Sequence, residues 1–567
     1  MRDHDSGEIP RALWAPVFVD GRRVVPTVLS VSRPLAVRAR VAGRPESASA
    51  RLYDPLLAEL VAGGPLARER FAARWPDTAA LTDLASSKQR PLPPALAAAL
   101  RALHARLEAS PASLASLDRL ARGEAVCAIT GQQPAPLGGP LYSLHKIATT
   151  VALSEAVRAR TGKACVPVFW MHGEDSDFDE VRSAMVADAA LAVRALEIPG
   201  TARREGGLVG NLPGDATAPV ESAALEAWST LPAFDDVRAL LAAAARAGRD
   251  LGEAFAALVL RLFGERGIVV VDPRLPEFRD AARSVIDRYL AEPAQLAEAA
   301  RRAGDRIEAA FGRRPLNDAA LDSFVFEIEG DARRKISPEE ARSSRNPLSP
   351  SVALRPVVQD GVLPTVAMAV GPGEIAYLAQ LREVYEGIGV RPAIAVPRFG
   401  ATWLPPAAVE LIEAAAVSPW EVVVDADLVL RTWSGGQVPP ELTAELERAR
   451  RDANHGLERV SHLSAELDAS LPQLVESARG KVDYQYARLV EGMVAKARHR
   501  AERRHPEWSR LRYYLLPGDR LQERRLASLE VVAWRGAAAA GELCDLARDH
   551  VDRVAGGVHE HFLLELA

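Results

Sequence analysis

Chemistry-bearing residues are concentrated in a few short stretches of this chain. Residues 130–142, TGQQPAPLGGPLY, carry Thr130, Gly131, Gln132, Gln133, Gly138, Gly139 and Tyr142 in a glycine- and proline-rich turn, and His145 and Lys146 follow at once. Backbone N–H groups in such a turn, with the positive end of a following helix, suit a phosphate or carboxylate. Two adjacent cationic side chains suit charge developing on a leaving group, although on spacing alone the solvated face of a helix accounts for His145 and Lys146 more simply. Residues 172–180 then gather His172, Glu174, Asp175, Asp177, Asp179 and Glu180. Carboxylates at that density can hold a substrate ammonium, a sugar hydroxyl or a divalent cation, or simply favour a helix N-terminus. A second glycine turn, GPGEIAY, places Gly371, Gly373 and Ala376 in the relaxed dinucleotide pattern, but no acidic residue follows at the distance a ribose needs. No Walker loop, GxSxG elbow, HExxH or paired CxxC occurs, so generic motifs assign no reaction.

The elements around these clusters read as an α/β protein. Residues 125–130 are a short apolar run suited to a strand buried on both faces. Pro140 stands where a first helical residue is favoured, and Leu141, Leu144, Ile147, Ala148 and Val151 recur at helical spacing. Residues 166–170 form a second buried strand, which puts the first glycine turn at the carboxyl end of a strand in a βαβ unit. Residues 267–273 (GIVVVDP), 363–370 and 392–396 read as further strands, the second opening into GPGEIAY and the last closed by Pro397 and Arg398. Strands alternating with helices predict a mostly parallel sheet.

Between and beyond these strands the pattern is largely helical. Residues 56–120, 182–265 and 275–351 read as helices, with a Gly/Pro loop at 199–214 and a polar end, RRKISPEEARSSRNPLSPS. A hairpin turning at Asp20-Gly21 fits the first segment. Over residues 441–499 apolar residues from Leu442 to Met493 recur three and four apart, with Pro472 in the first turn of a second helix capped by Ser470. That predicts two long helices in a hairpin, with a stripe needing its sister helix or a second subunit. The expected segments are a core beginning in 1–181, a helical insertion at 182–265, a core strand and second insertion at 266–345, core again at 346–404, an arm at 405–515 and a return segment at 516–567.

Composition excludes several function classes. The 567 residues are 48% hydrophobic and 26% charged, and 70 basic against 75 acidic residues leave a net charge of -5. That is no footprint for nucleic acid or a membrane surface. No targeting segment or run long enough to span a bilayer is present, and three cysteines imply a reducing compartment, so a cytoplasmic location is expected. Cys127 and Cys165 read as small core residues, KARHRAERR at 496–504 as a solvated helix face, and His559 with His561 as a chance pair. No metal site is expected.

Five ordered motifs, TGQQPAPLGGPLYSLHKI, PVFWMHGEDSDFDEV, LRPVVQDGVLPTVAMAVGPGEIAYLAQL, PAIAVPR and LQER, resemble the bacillithiol-biosynthesis cysteine ligase family, BshC. The resemblance implies a Rossmann-like core related to nucleotidyltransferases and class I aminoacyl-tRNA synthetases, connecting-peptide insertions, and a C-terminal coiled coil that makes a homodimer. The implied activity adds L-cysteine to the amine of glucosaminyl-malate through an activated carboxylate, with ATP as the expected activator. It also implies catalytic roles for His145, Lys146, His172, Asp175 and Asp177. Substrate or nucleotide contacts would fall to Thr130, Gly131, Gln132, Gln133, Gly138, Gly139, Tyr142, Glu174, Arg355, Gln359, Gly371, Gly373, Glu374, Tyr377 and Arg398. One departure stands out: where the family commonly reads EDHD, this chain reads Glu174-Asp175-Ser176-Asp177. If the segment is helical, His172 shares a face with Ser176 and can substitute for the missing histidine. The alternatives are a ligase for another amino acid and amine on the same scaffold, or a non-catalytic dimeric paralogue.

Overall fold

A computed structural model of the chain centres on five parallel strands: β1 (Ala125–Gln132), β2 (Ala164–Met171), β3 (Val269–Val271), β4 (Thr365–Val370) and β5 (Ile394–Pro397). Their spatial order is β5-β4-β1-β2-β3, with every pairing parallel. These are the strands expected from the apolar runs, and every residue of β1, β3, β4 and β5 is buried, as continuous apolar runs in a parallel sheet require. The chain lays down β1, β2 and β3 in one direction and then places β4 and β5 on the other side of β1. At such a switch point the connections leave to opposite faces, and a crevice opens beyond the strand ends. Both glycine turns lie there, one after β1 and one after β4. Thr130 ties the two strands together, its hydroxyl donating to the Ala369 carbonyl at 2.8 Å.

Helix α1 (Tyr142–Thr161) returns from β1 to β2 and ends at Gly162, whose φ of 71° only glycine adopts readily. It packs on the sheet with one face and on the C-terminal helix Ala539–Ala555 with another. Covered on both sides, it buries Ser143, His145, Lys146, Thr149 and Thr150 with its apolar residues. Helix α2 (Arg355–Val362) precedes β4, and α3 (Pro372–Gln380) follows it. The arm consists of α4 (Pro440–Ala465) and α5 (Leu471–Arg504), which pack against each other as the expected helical hairpin. Pro472 sits in the first turn of α5, but the Ser470 hydroxyl donates to Asp468 rather than capping the helix.

The structure describes residues 54–415, 438–468 and 470–566, with strand pieces 18–19, 22–23 and 36–42 and residue 423. In the N-terminal unit, residues 1–34, Phe18–Val19 pairs antiparallel with Arg22–Arg23; the turn expected at Asp20-Gly21 lies outside the described residues. Among the described residues no helix is long and apolar enough to cross a membrane.

Three pieces of sheet fall where helix or loop is expected. Ser183–Ala187 and Val193–Glu197 form an antiparallel pair in the first insertion. Val325–Glu329 pairs antiparallel with Ala332–Lys335 and with Leu348–Pro350 in the second. Glu560–Glu565 lies between Gly400–Leu404 and Ala36–Ala42, so the return segment ends within a sheet. These strands are short or polar on one side, which hides them in a helical background.

Candidate functional site

The crevice at the switch point is a cavity of about 580 Å³. Gln132, Gln133, Tyr142, Lys146, His172 and Asp175 line it from the first βαβ unit, and Gly371, Gly373, Glu374 and Tyr377 from the second turn. Arg355, at the start of α2, and Arg398, just after β5, complete the expected residues found there.

Lys146 joins the two turns. Its ammonium donates to the Gly131 carbonyl at 2.9 Å and pairs with Glu374 at 2.8 Å. Burial lowers its pKa, and Glu374 opposes that shift. The same Glu374 carboxylate accepts the Gly371 N–H at 2.7 Å and so caps α3. Gln132 donates to the Tyr142 hydroxyl at 3.0 Å, and burial with the nearby Glu180 pushes that phenol up to about 12. Gln133 donates to Glu180 at 2.8 Å.

The residues after β2 form a loop, not a helix, so the face-sharing argument for His172 and Ser176 fails. His172 nevertheless reaches the cavity by packing against Gly131, where a Cβ would stand 2.4 Å from its Nε2. Arg355 Nη1 lies 3.3 Å from His172 Nδ1. A guanidinium only donates, so Nδ1 is the acceptor and Nε2 carries the hydrogen. Burial and the cations Arg355, Lys146 and Arg333 hold the ring well below its ordinary pKa, hence neutral. Burial raises the Asp175 carboxyl, but Arg355, Arg333 and the N–H groups of Asp177 and Ser176 outweigh it, leaving the carboxyl below its usual range.

Other expected site residues serve the framework. His145 does not face the anion site, nor is it solvated. Its ring is fully buried, with Nδ1 3.1 Å from Glu523 and Trp403 Nε1 donating to its Nε2 at 3.3 Å. The indole can only donate, so Nδ1 bears the hydrogen and gives it to Glu523. Thr130 is the tie between strands described above, and it does not line the cavity. Gly138 and Gly139 turn at φ of 78° and 69° against the return segment, and the Ser528 N–H donates to the Gly139 carbonyl. The Leu141 N–H donates to Leu526, so the start of α1 is covered by protein rather than open to an anion. Gln359 lies in the core and donates to Asp360 at 3.1 Å. The acidic cluster disperses: Glu174 pairs with Arg279 at 2.7 Å and accepts Ser349 at 2.8 Å, while Asp177 accepts the Glu180 N–H at 3.1 Å as the cap of a short helix. Among the described residues no group of three His, Cys, Asp or Glu is placed to hold a metal ion.

Sequence reasoning missed three cationic residues here. Arg333 and Lys335 come to the cavity on the unforeseen ribbon of the second insertion, and Arg524 comes from the return segment. A second cavity, about 670 Å³, shares Pro372, Gly373, Arg398 and Arg524 with the first. Behind this wall Glu523 binds Arg398 through both oxygens, at 3.0 and 2.5 Å, and accepts His145 and the Ala401 N–H. The LQER motif marked the place without revealing either role.

Comparison with known proteins agrees with this architecture. The family description "Bacillithiol biosynthesis BshC, N-terminal Rossmann-like domain" matches residues 46–346 and 338–399, and "Bacillithiol biosynthesis BshC, C-terminal coiled-coil domain" matches 401–551. Among curated relatives, a protein of Koribacter versatilis (strain Ellin345) is 30% identical over 471 residues, 80% of this chain and 87% of its own length. One of Solibacter usitatus (strain Ellin6076) is 31% identical over 78% of this chain and 85% of its own length. One of Thermus thermophilus is 31% identical over 77% of this chain and 89% of its own length. Each bears the name "Putative cysteine ligase BshC".

Proposed function

The chain belongs to the bacillithiol-biosynthesis BshC family, and from that premise we propose that it is a cytoplasmic ligase joining the carboxylate of L-cysteine to the amine of glucosaminyl-malate. The observation that carries the reading is the meeting of both glycine turns at one charged switch-point crevice within the matched region. Free thiols at Cys127, Cys165 and Cys544 suit a reducing compartment.

A carboxylate must be activated before an amine displaces its oxygen, and ATP would supply a phosphate-based leaving group. The residues fit such an anion at the α3 end of the crevice. Gly373 lies in the first turn of α3 with open space beside it, and Lys146, Arg398 and Arg524 line the same crevice, with the Glu374 carboxylate turned onto Lys146 and the Gly371 N–H. First-turn N–H groups have no intrahelical acceptor and attract negative charge. Glu374 and the Gly131 carbonyl hold Lys146, and Glu523 holds Arg398, so neither cation needs to reorganise as charge develops.

His172 is held neutral, with Nδ1 facing Arg355 and Nε2 against Gly131, which suits positioning better than removing a proton. Asp175 and Glu180 are carboxylates of the crevice for an incoming ammonium. A homodimer through the arm is part of the proposal. Of the large apolar side chains left exposed among the described residues, all but Tyr513 and Val558 lie on the arm.

Thiol profiling by mass spectrometry in the source organism, with and without the gene, tests the reading. Deletion should remove the cysteinyl conjugate and accumulate glucosaminyl-malate, and a plasmid copy should reverse both. An unchanged thiol pool, in a strain with no second copy of the gene, would overturn it.

A further inference from the structure

The crevice wall built by the second insertion holds more positive charge than the protein neutralises. Arg333 is 8% exposed, and its guanidinium lies 3.8 Å over the Phe326 ring. Its Nη2 donates to the Pro350 carbonyl at 2.7 Å, while its Nε is buried with no hydrogen-bond partner. Its carboxylate neighbour, Asp175, stands 3.8 Å away. Arg355 approaches the same Asp175 at 3.4 Å. Both distances exceed the 2.7–2.9 Å typical of a charge-assisted contact. Asp175 already accepts the N–H groups of Ser176 at 2.8 Å and Asp177 at 3.3 Å, and Glu174 is taken by Arg279 and Ser349. Two guanidinium groups thus share one carboxylate, with neutral His172 beside them and Lys335 at the rim. Burial and Arg355 lower the Arg333 pKa to about 10. A buried guanidinium short of partners is costly unless something else completes its shell.

We infer that Arg333 and Arg355, with Lys335 at the rim, form a subsite for a dicarboxylate, the malate arm of the amine substrate. This assignment rests on the ligase reading and deepens it. A dicarboxylate matches the charge: two negative groups against two guanidinium groups and one ammonium, with Asp175 already counted. Cysteine fits poorly, because its single carboxylate comes with an ammonium that the two guanidinium groups repel. The subsite is built from other elements of the crevice than Lys146, Arg398 and the start of α3, where the activated carboxylate belongs. Arg334, the next residue on the strand, points the other way and pairs with Glu327, as period-two alternation demands.

Isothermal titration of the full-length protein with L-malate as the probe tests the assignment. Wild-type protein should bind malate, and Arg333→Met and Arg355→Met should each weaken it roughly 10- to 100-fold, the loss expected for a hydrogen bond to a charged group. Arg334→Met should bind as wild type does. Arg333→Lys, which keeps the charge but loses the fork, should fall between, and it covers the case in which the methionine variant fails to fold. In turnover assays the KM for glucosaminyl-malate should rise in these variants while that for cysteine holds. No malate binding by wild type, equal loss in Arg334→Met, or undiminished binding in folded Arg333→Met would overturn the assignment. Malate bound at this site by a protein without ligase activity would leave the subsite standing and remove the ligase reading; turnover with an unchanged KM would do the reverse.

Discussion

Replacing Glu523 by glutamine isolates the device that holds Arg398 at the crevice. The Glu523 and Arg398 side chains are 4% and 6% exposed, so each charge depends mainly on the other. Glu523 accepts two hydrogens from Arg398, one from His145 and one from Ala401. Burial raises its pKa, but Arg398 and His145 outweigh that and hold it well below the ordinary carboxylate range. Glutamine keeps one acceptor oxygen and presents an NH₂ to groups that are themselves donors. Removing one partner of a buried ion pair costs about 3–5 kcal/mol, because the other charge stays buried and uncompensated. The Phe399 carbonyl at 2.8 Å and the Tyr142 ring, with its centroid 5.3 Å away, still stabilise Arg398. A ring contact of that kind contributes about 0.5–2 kcal/mol, which sets the expectation for Glu523→Gln near 3 kcal/mol.

Urea unfolding of full-length protein, followed by tryptophan fluorescence and far-UV circular dichroism, reads this as a lower midpoint at unchanged slope. Arg398→Met should also destabilise. The double variant should cost less than the sum of the two by about 2 kcal/mol or more, since it removes both charges together. Glu523→Gln within about 0.5 kcal/mol of wild type, the scatter of ordinary surface changes, would refute the buried-pair account. Strict additivity in the double variant would refute it independently.

Gly131→Ala should destabilise by about 1–3 kcal/mol and displace His172, because the new Cβ would stand 2.4 Å from His172 Nε2 and 3.0 Å from the Trp170 carbonyl. Wild-type stability in urea, with the His172 imidazole resonances unshifted, would contradict that close approach. On the arm, Leu463 is 71% exposed and Leu467 83%. Leu463→Glu with Leu467→Glu should convert a dimer to a monomer in sedimentation equilibrium without loss of helicity, and a dimer that survives both changes would exclude this stripe as the interface. The buried histidines weaken the fold toward acid, opposed by Glu530, whose carboxyl burial raises to about 8. Burial lowers His104, His550 and His561 to about 4, so the unfolded chain takes up their protons near pH 6.5 and the folded chain does not until near 4. Their contribution is complete above about pH 7 and falls as pH drops from 6.5 toward 4, by about 2 kcal/mol each at pH 5. An unfolding midpoint that stays flat from pH 7 to 5 would contradict it.

What the sequence disclosed follows from how each feature is encoded. Strands β1, β3, β4 and β5 are buried on both faces and so read as unbroken apolar runs, and the two glycine turns punctuate them. Residues in or beside those turns, Lys146, Tyr142, Glu374 and Tyr377, stand in the crevice because a strand end and its turn put them there whatever the rest of the chain does. His145 and Lys146 are neighbours on one helix, yet they part company. Lys146 reaches back to the turn, while His145 meets Glu523, 378 residues away. Nothing local distinguishes a helix with one solvated face from one covered on both by a segment that far along.

Arg333 and Arg334 make the same point more sharply. They are identical in type and adjacent in sequence, and only the pleat of an unrecognised strand separates them, one stacked on Phe326 and short of acceptors, the other at the surface with Glu327. Alternation along VFEIE and ARRK was available as a pattern, but which face turns inward depends on the ribbon's placement against the crevice, and that is fixed by partners outside it. Charge can therefore be counted from sequence, whereas unneutralised charge, the quantity that recognises a ligand, exists only once the pairing is known. In this chain that pairing leaves Arg333 and Arg355 with one carboxylate between them, and Arg398 with one of its own.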